Sequence, residues 1–156
     1  MRDANPGTIY LKDYRPPEFL INRTELHFEL HEEYALVTAR LHLLRDPAAP
    51  AQVPLVLHGQ QLELLSVELD GEPLDAGAYQ VDDDSLRIPG VPEQCRLQCT
   101  TRIRPQDNSS LEGLYKSRSM FCTQCEAEGF RKITYYLDRP DVMSVFTVTV
   151  EAERAR

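Results

Sequence analysis

Leu26-His27-Phe28-Glu29-Leu30 and Val37-Thr38-Ala39-Arg40-Leu41-His42-Leu43 decide the fold. In each, apolar and polar residues alternate strictly. A period of two places successive side chains on opposite faces of an extended chain, so each stretch is a strand with one apolar face. The charged segment His31-Glu32-Glu33 between them is short enough for a turn. Together they predict an antiparallel hairpin buried on one side.

The same reading extends outward along the chain. Pro47, Pro50 and Pro54 bracket a loop, after which Leu55-Val56-Leu57 forms a short apolar run that stops at His58-Gly59. Leu65, Val67 and Leu69 alternate up to Asp70-Gly71, a pair that tolerates positive φ and suits a tight hairpin turn. Tyr79-Gln80-Val81 and Leu86-Arg87-Ile88, separated by Asp82-Asp83-Asp84, predict another hairpin. Leu97, Cys99, Thr101 and Ile103 share one face of a later strand, and Phe146, Val148, Val150 and Ala152 mark a last one. Strand follows strand with turn chemistry between, which predicts an all-β fold, an antiparallel sandwich or saddle-like β domain. Ahead of it, the first seventeen residues read as an irregular polar arm ending at Pro16-Pro17.

Between Leu111 and Asp141 the alternation disappears. Glu126-Ala127-Glu128 and the stretch from Lys132 to Leu137 read as short helical turns within one long irregular loop. A loop of that length in a compact domain is functional or disordered, and this one is too rich in Tyr, Phe and Cys for disorder.

Composition limits what such a domain can do. A chain of 156 residues fits one domain, 1–156. Its formal net charge is −8, which gives no general attraction to phosphate backbones or anionic lipid, so no nucleic-acid or membrane partner is expected. No apolar run approaches a membrane span, and Met1-Arg2-Asp3-Ala4-Asn5-Pro6-Gly7 lacks the apolar core of a secretory leader. A cytoplasmic location is the expectation. In that compartment Cys95, Cys99, Cys122 and Cys125 are free thiols, metal ligands or packing groups rather than disulfides, and the Asn-x-Ser/Thr matches at Asn22 and Asn108 carry no glycosylation meaning.

Few residues offer chemistry. Cys122-Thr123-Gln124-Cys125 is a C-x-x-C, but zinc needs four ligands around one ion. Cys95 and Cys99, four residues apart on a strand, lie about 13 Å from each other, so at most one could join. A redox role expects the motif at a helix start after a strand, a context missing here, and packing beneath the loop is the simpler reading. His27, His31 and His42 fall in the polar phase of their strands, and no H-E-x-x-H, G-x-S-x-G or glycine-rich phosphate cradle occurs. No catalytic residue and no metal site are therefore assigned. Glu126 and Glu128 stand apart, flanked by Cys125, Phe130, Tyr135 and Tyr136. A carboxylate in a partly desolvated pocket anchors an ammonium group strongly because a low effective dielectric raises the pair energy, and a neighbouring Gln can orient the same ligand. On spacing alone, a surface helix-turn residue is the simpler reading of Glu126.

Leu111-Glu112-Gly113-Leu114-Tyr115, Cys122 through Arg131, and Ile133-Thr134-Tyr135-Tyr136-Leu137-Asp138-Arg139-Pro140-Asp141-Val142 resemble the amino-terminal domain of the bacterial aminopeptidase N family, zinc enzymes with H-E-x-x-H and G-x-M-E-N signatures. Asp13-Tyr14-Arg15-Pro16-Pro17 resembles the start of those proteins. The likeness covers nearly the whole chain. It implies a β domain lying against a thermolysin-like catalytic domain and lending it a T-Q-x-E segment that binds the free α-amine of a peptide substrate. That segment maps onto Thr123-Gln124-Cys125-Glu126, with Glu126 as amine anchor and Gln124 as substrate contact. The family's zinc ligands and general base have no counterpart here, so the resemblance implies a part of a longer enzyme, inactive alone, with zinc held elsewhere and a sheet edge left open. Two other readings are a free-standing β-sandwich interaction module and a small metal or redox protein using Cys122 and Cys125. A downstream H-E-x-x-H separates the first from the family reading, and stoichiometric zinc in the purified chain would favour the second.

Overall fold

A computed structural model describes residues 8–153. The expectation for the first seven residues lies outside that range. The fold is all-β, with eleven strands among the described residues and helix limited to 3-10 turns. The opening hairpin is β1 (Phe19–Leu30) and β2 (Ala35–Arg45), with Leu26 opposite Ala39 and Phe28 opposite Val37. β3 is Leu55–His58, β4 Glu63–Leu69, β5 Glu72–Pro73, β6 Gln80–Val81, β7 Ser85–Ile88 and β8 Gln94–Ile103. A second hairpin, β9 (Gly113–Ser117) with β10 (Met120–Gln124), precedes the last strand, β11 (Val145–Ala152).

Three sheets result: six strands in the order β11-β1-β2-β8-β4-β5, three in the order β3-β7-β6, and the β9–β10 pair. The large sheet is covered on one face by two separate caps. Over one half, Leu41, Leu43, Cys95, Leu97 and Cys99 meet Leu55, Leu57, Leu86 and Ile88 of the three-stranded sheet, which is the expected sandwich. Over the other half, Leu26, Phe28, Val37, Ala39 and Ile103 meet Leu114 of β9 together with Ile133, Phe130 and Phe121. Each fully buried Leu or Ile here contributes on the order of 1.5–3 kcal/mol, so both caps are held mainly by apolar burial.

Two bulges shift the alternation. Ile21 faces Leu43 while Arg23 faces His42, so Asn22 is the extra residue and the buried set passes from Phe19 and Ile21 to Thr24, Leu26 and Phe28. In β4 the register shifts between Leu64 and Ser66. That shift interrupts the expected alternation of Leu65, Val67 and Leu69: Leu65 is exposed, while Leu64 packs against the core. A bulge sets two residues against one, so it changes which phase points inward without changing the composition of the strand.

The loop reading also needs correction. The β9–β10 hairpin occupies its first part, with Tyr115 opposite Cys122, and the 3-10 turn lies at Phe130–Lys132 rather than at 126–128 or across 132–137. After that turn the chain is pinned to β3 by a bridge between Tyr136 and His58. The antiparallel expectation fails at one place. β11 runs parallel to β1, with Leu26 opposite Val148, because the long segment before it returns the chain to the far edge of β1. All eight residues of β11 are exposed, which leaves the edge open as expected. The arm from residue 8 is exposed up to Pro16 and is held by Tyr14 Oη donating to Asp141 and Arg139 Nη2 donating to the Arg15 carbonyl.

Candidate functional site

Gln124 ends β10, paired with Gly113 at the start of β9. The chain then runs through residues 125–128 to Gly129, with a cis peptide between Glu126 and Ala127. Gly113 (φ 73°) and Gly129 (φ 149°) both need the left-handed region, and both meet neighbouring backbone closely. A Cβ on Gly129 would lie 2.9 Å from the Gln124 carbonyl oxygen, and one on Gly113 would lie 3.1 Å from that of Gly129. The absence of side chains at these two positions lets the loop fold back onto its own hairpin.

The base of the loop rests on Asp138. This side chain is buried, and its Oδ2 accepts hydrogen bonds from the Gly129 amide at 3.0 Å, the Arg131 amide at 3.2 Å and Arg131 Nε at 2.8 Å. Arg131 Nη2 also lies 3.2 Å from Glu128 and donates to the Asp138 carbonyl. Asp138 is itself tied to the core, because its amide donates to His58 Nδ1 at 3.2 Å. Burial, followed by the charge of Arg131, holds His58 below the ordinary histidine pKa, so the imidazole stays neutral and its Nδ1 can accept.

The two predicted site residues sit at the end of this construction. Gln124 and Glu126 are both exposed, and among the described residues Glu126 makes no hydrogen bond or ion pair. The expectation of a partly desolvated pocket is therefore corrected, since among the described residues no wall shields the carboxylate. Glu128, its companion in the sequence reading, is instead paired with Arg131. A neighbouring groove of about 420 Å³ is lined by Gln60, Ser110, Glu112, Glu128, Arg131 and Lys132, but neither Gln124 nor Glu126 lines it. Asp138, Arg131, His58 and the two glycines escaped sequence reasoning. A single acid ending the buried run Ile133-Thr134-Tyr135-Tyr136-Leu137 was the signal available, because a buried carboxylate requires partners.

Of the two cysteines in the motif, Cys125 packs against the core. Cys125 is half-buried against the second core cluster, and burial, then the Asp138 charge, pushes its thiol up to about 11. At neutral pH almost none of it is thiolate, the form that ligates metal or attacks disulfides. Cys95 and Cys99 are buried in β8, their thiols raised to about 11 and about 12 by burial. Among the described residues no three His, Cys, Asp or Glu side chains are grouped to hold a metal ion, so this chain's donors do not fit a zinc site. His27 lies 3.4 Å from Glu151 and His42 3.5 Å from Glu25, on the polar face of the sheet.

Residues 24–156 match the family described as the peptidase M1 N-terminal domain. The chain is 46% identical over 153 residues to aminopeptidase N of Caulobacter vibrioides, covering 98% of this chain and 18% of that protein. Among solved structures it is similar to Legionella pneumophila aminopeptidase A in complex with aspartic acid, with a TM-score of 0.82, 26% identity, and coverage of 90% of this chain and 17% of that one. It shares a fold with an M1 zinc metallopeptidase from Deinococcus radiodurans bound to a Tyr-Ser-Ala substrate (TM-score 0.70, 16% identity), which covers 86% of this chain and 33% of that one. The chain thus spans under a fifth of the length of its Caulobacter relative.

Proposed function

The chain belongs to the family of peptidase M1 N-terminal domains, and from that premise we propose that it serves a zinc-dependent aminopeptidase that removes residues from peptide N-termini. In this reading the domain is inactive alone and packs on its own catalytic domain, which holds the zinc. Gln124 and Glu126 contact the substrate, with the Glu126 carboxylate as the fixed anion against which the protonated α-amine stops. An exopeptidase needs such a stop, because it must distinguish a chain end from a chain interior, and a charge pair at a set distance makes that distinction.

One observation carries the proposal: within this family frame, Glu126 is an exposed carboxylate without a partner among the described residues, on a four-residue span closed at both ends by β10 and by Asp138. The low dielectric that would strengthen its pairing has to come from the catalytic domain and the substrate. A cytoplasmic location is part of the same reading, supported by four cysteines that all stand free of disulfides.

Glu126→Gln in the intact enzyme tests the assignment. For a substrate with a free α-amine, kcat/KM should fall by about 30- to 1,000-fold, the equivalent of about 2 to 4 kcal/mol of transition-state binding. A change of about twofold or less would remove Glu126 from the substrate site.

A further inference from the structure

We infer that Asp138 and Arg131 form a positioning device for the amine anchor, an inference that rests on the reading of Glu126 given above. Asp138 is 6% exposed, and burying a carboxylate is unfavourable unless it is paired and hydrogen-bonded. All three donors to its Oδ2 come from Gly129 and Arg131. The buried charge therefore organises one short stretch, the one that follows Glu126.

The connection to the core runs in one direction. β3 is anchored by Leu55 and Leu57, both fully buried. The His58 amide donates to the Tyr136 carbonyl at 2.8 Å and the Tyr136 amide donates back to His58 at 3.0 Å, which fixes the segment two residues before Asp138. The Asp138 amide bonds to His58 Nδ1, its carboxylate holds Gly129, and Arg131 reaches from that carboxylate to Glu128. Gln124, at the other end of the span, is held by strand pairing to Gly113. Glu126 thus projects from a short bridge with two fixed abutments. Without Asp138 one abutment is lost, while strand pairing retains the other. An anchor displaced by about an ångström loses a large part of its effect on rate.

The test uses the intact aminopeptidase that carries this domain. Asp138→Asn and Arg131→Gln are made singly and in combination with Glu126→Gln, and kcat and KM are measured with an aminoacyl anilide bearing a free α-amine. Each single variant should lower kcat/KM by about tenfold or more, and Arg131→Lys, which keeps a donor, should recover part of the loss. In the Glu126→Gln background the same changes should cost about twofold or less, because a positioning residue has nothing left to position. Equal losses with and without the Glu126 carboxylate would show a purely structural role and overturn the inference. If Asp138→Asn fails to accumulate as folded protein, the Arg131→Gln pair decides by the same criterion. A Glu126→Gln enzyme that loses activity beside Asp138 and Arg131 variants that keep it refutes this inference alone. A Glu126→Gln enzyme that keeps its activity refutes the anchor reading and this inference with it.

Discussion

The ring of Tyr135 packs so tightly against Gly59 that a Cβ at position 59 would lie 2.3 Å from both Cδ1 and Cε1 of the ring. Tyr135 is fully buried, and Leu62 Cδ1 would lie 3.0 Å from the same Cβ. Neither neighbour can retreat without opening the core between the sheets. Gly59→Ala should therefore destabilise the fold by about 1–3 kcal/mol through overpacking, read as a lower urea midpoint at unchanged slope. An unshifted midpoint would mean that the ring has room to move.

His58 makes stability depend on pH. Burial and Arg131 depress its pKa in the fold, while Asp138 and Glu128 oppose that shift and Arg139 reinforces it. As pH falls below the ordinary value of 6.5, the unfolded chain takes up a proton that the folded chain refuses. This group's contribution is thus complete above that value and is lost as pH falls toward the folded pKa. His58→Asn, which preserves an acceptor, should flatten the decline in melting temperature between about pH 6.5 and 5 relative to the parent. Parallel curves for the two proteins would show that His58 does not titrate with unfolding.

Cys125 should be slow to alkylate. With its thiol near 11 rather than the ordinary 9.0, the thiolate fraction at pH 8 is about 100-fold smaller than for a free cysteine. Iodoacetamide labelling followed by peptide mass mapping should find Cys125 unmodified while a small free thiol in the same tube has reacted fully. Prompt labelling would mean that the loop opens often enough to expose the sulfur.

The open edge should make the chain self-associate when it is produced without neighbours. Phe146, Val148 and Val150 of β11 are about half exposed and lie opposite Thr24, Leu26 and Phe28 of β1. Apolar, unpaired edges are templates for further pairing, and lysine on an edge suppresses it. Val148→Lys should return the 156-residue chain to a monomer at concentrations, on the order of 100 μM, where the parent sediments as larger species. A parent that is already monomeric would refute this.

How far the sequence carried the structure depends on what alternation encodes. It encodes faces, so the buried sets of β2 and β8 and the Asp70-Gly71 turn, with both residues at positive φ, were legible. Registry defects and strand direction are not encoded, so the bulges at Asn22 and Leu65 and the parallel sense of β11 came only with the coordinates. Asn108, read as a chance acceptor motif, proves to be a turn residue whose side-chain amide donates to the Glu112 and Leu114 carbonyls. At the site, Gln124 and Glu126 were named from the resemblance, but their support was not, because the donors that hold Asp138 are mostly backbone amides and every residue type carries those.

The parallel pairing of β1 with β11 also dictates an order of events during synthesis. β1 finds β2 across a turn of a few residues, whereas Arg23 meets Val145 only after about 120 further residues have been made. The nascent chain must carry a bare strand edge until those residues have emerged, and closing a contact of such long range is slow. That interval, rather than the finished domain, is where chaperones would find their substrate.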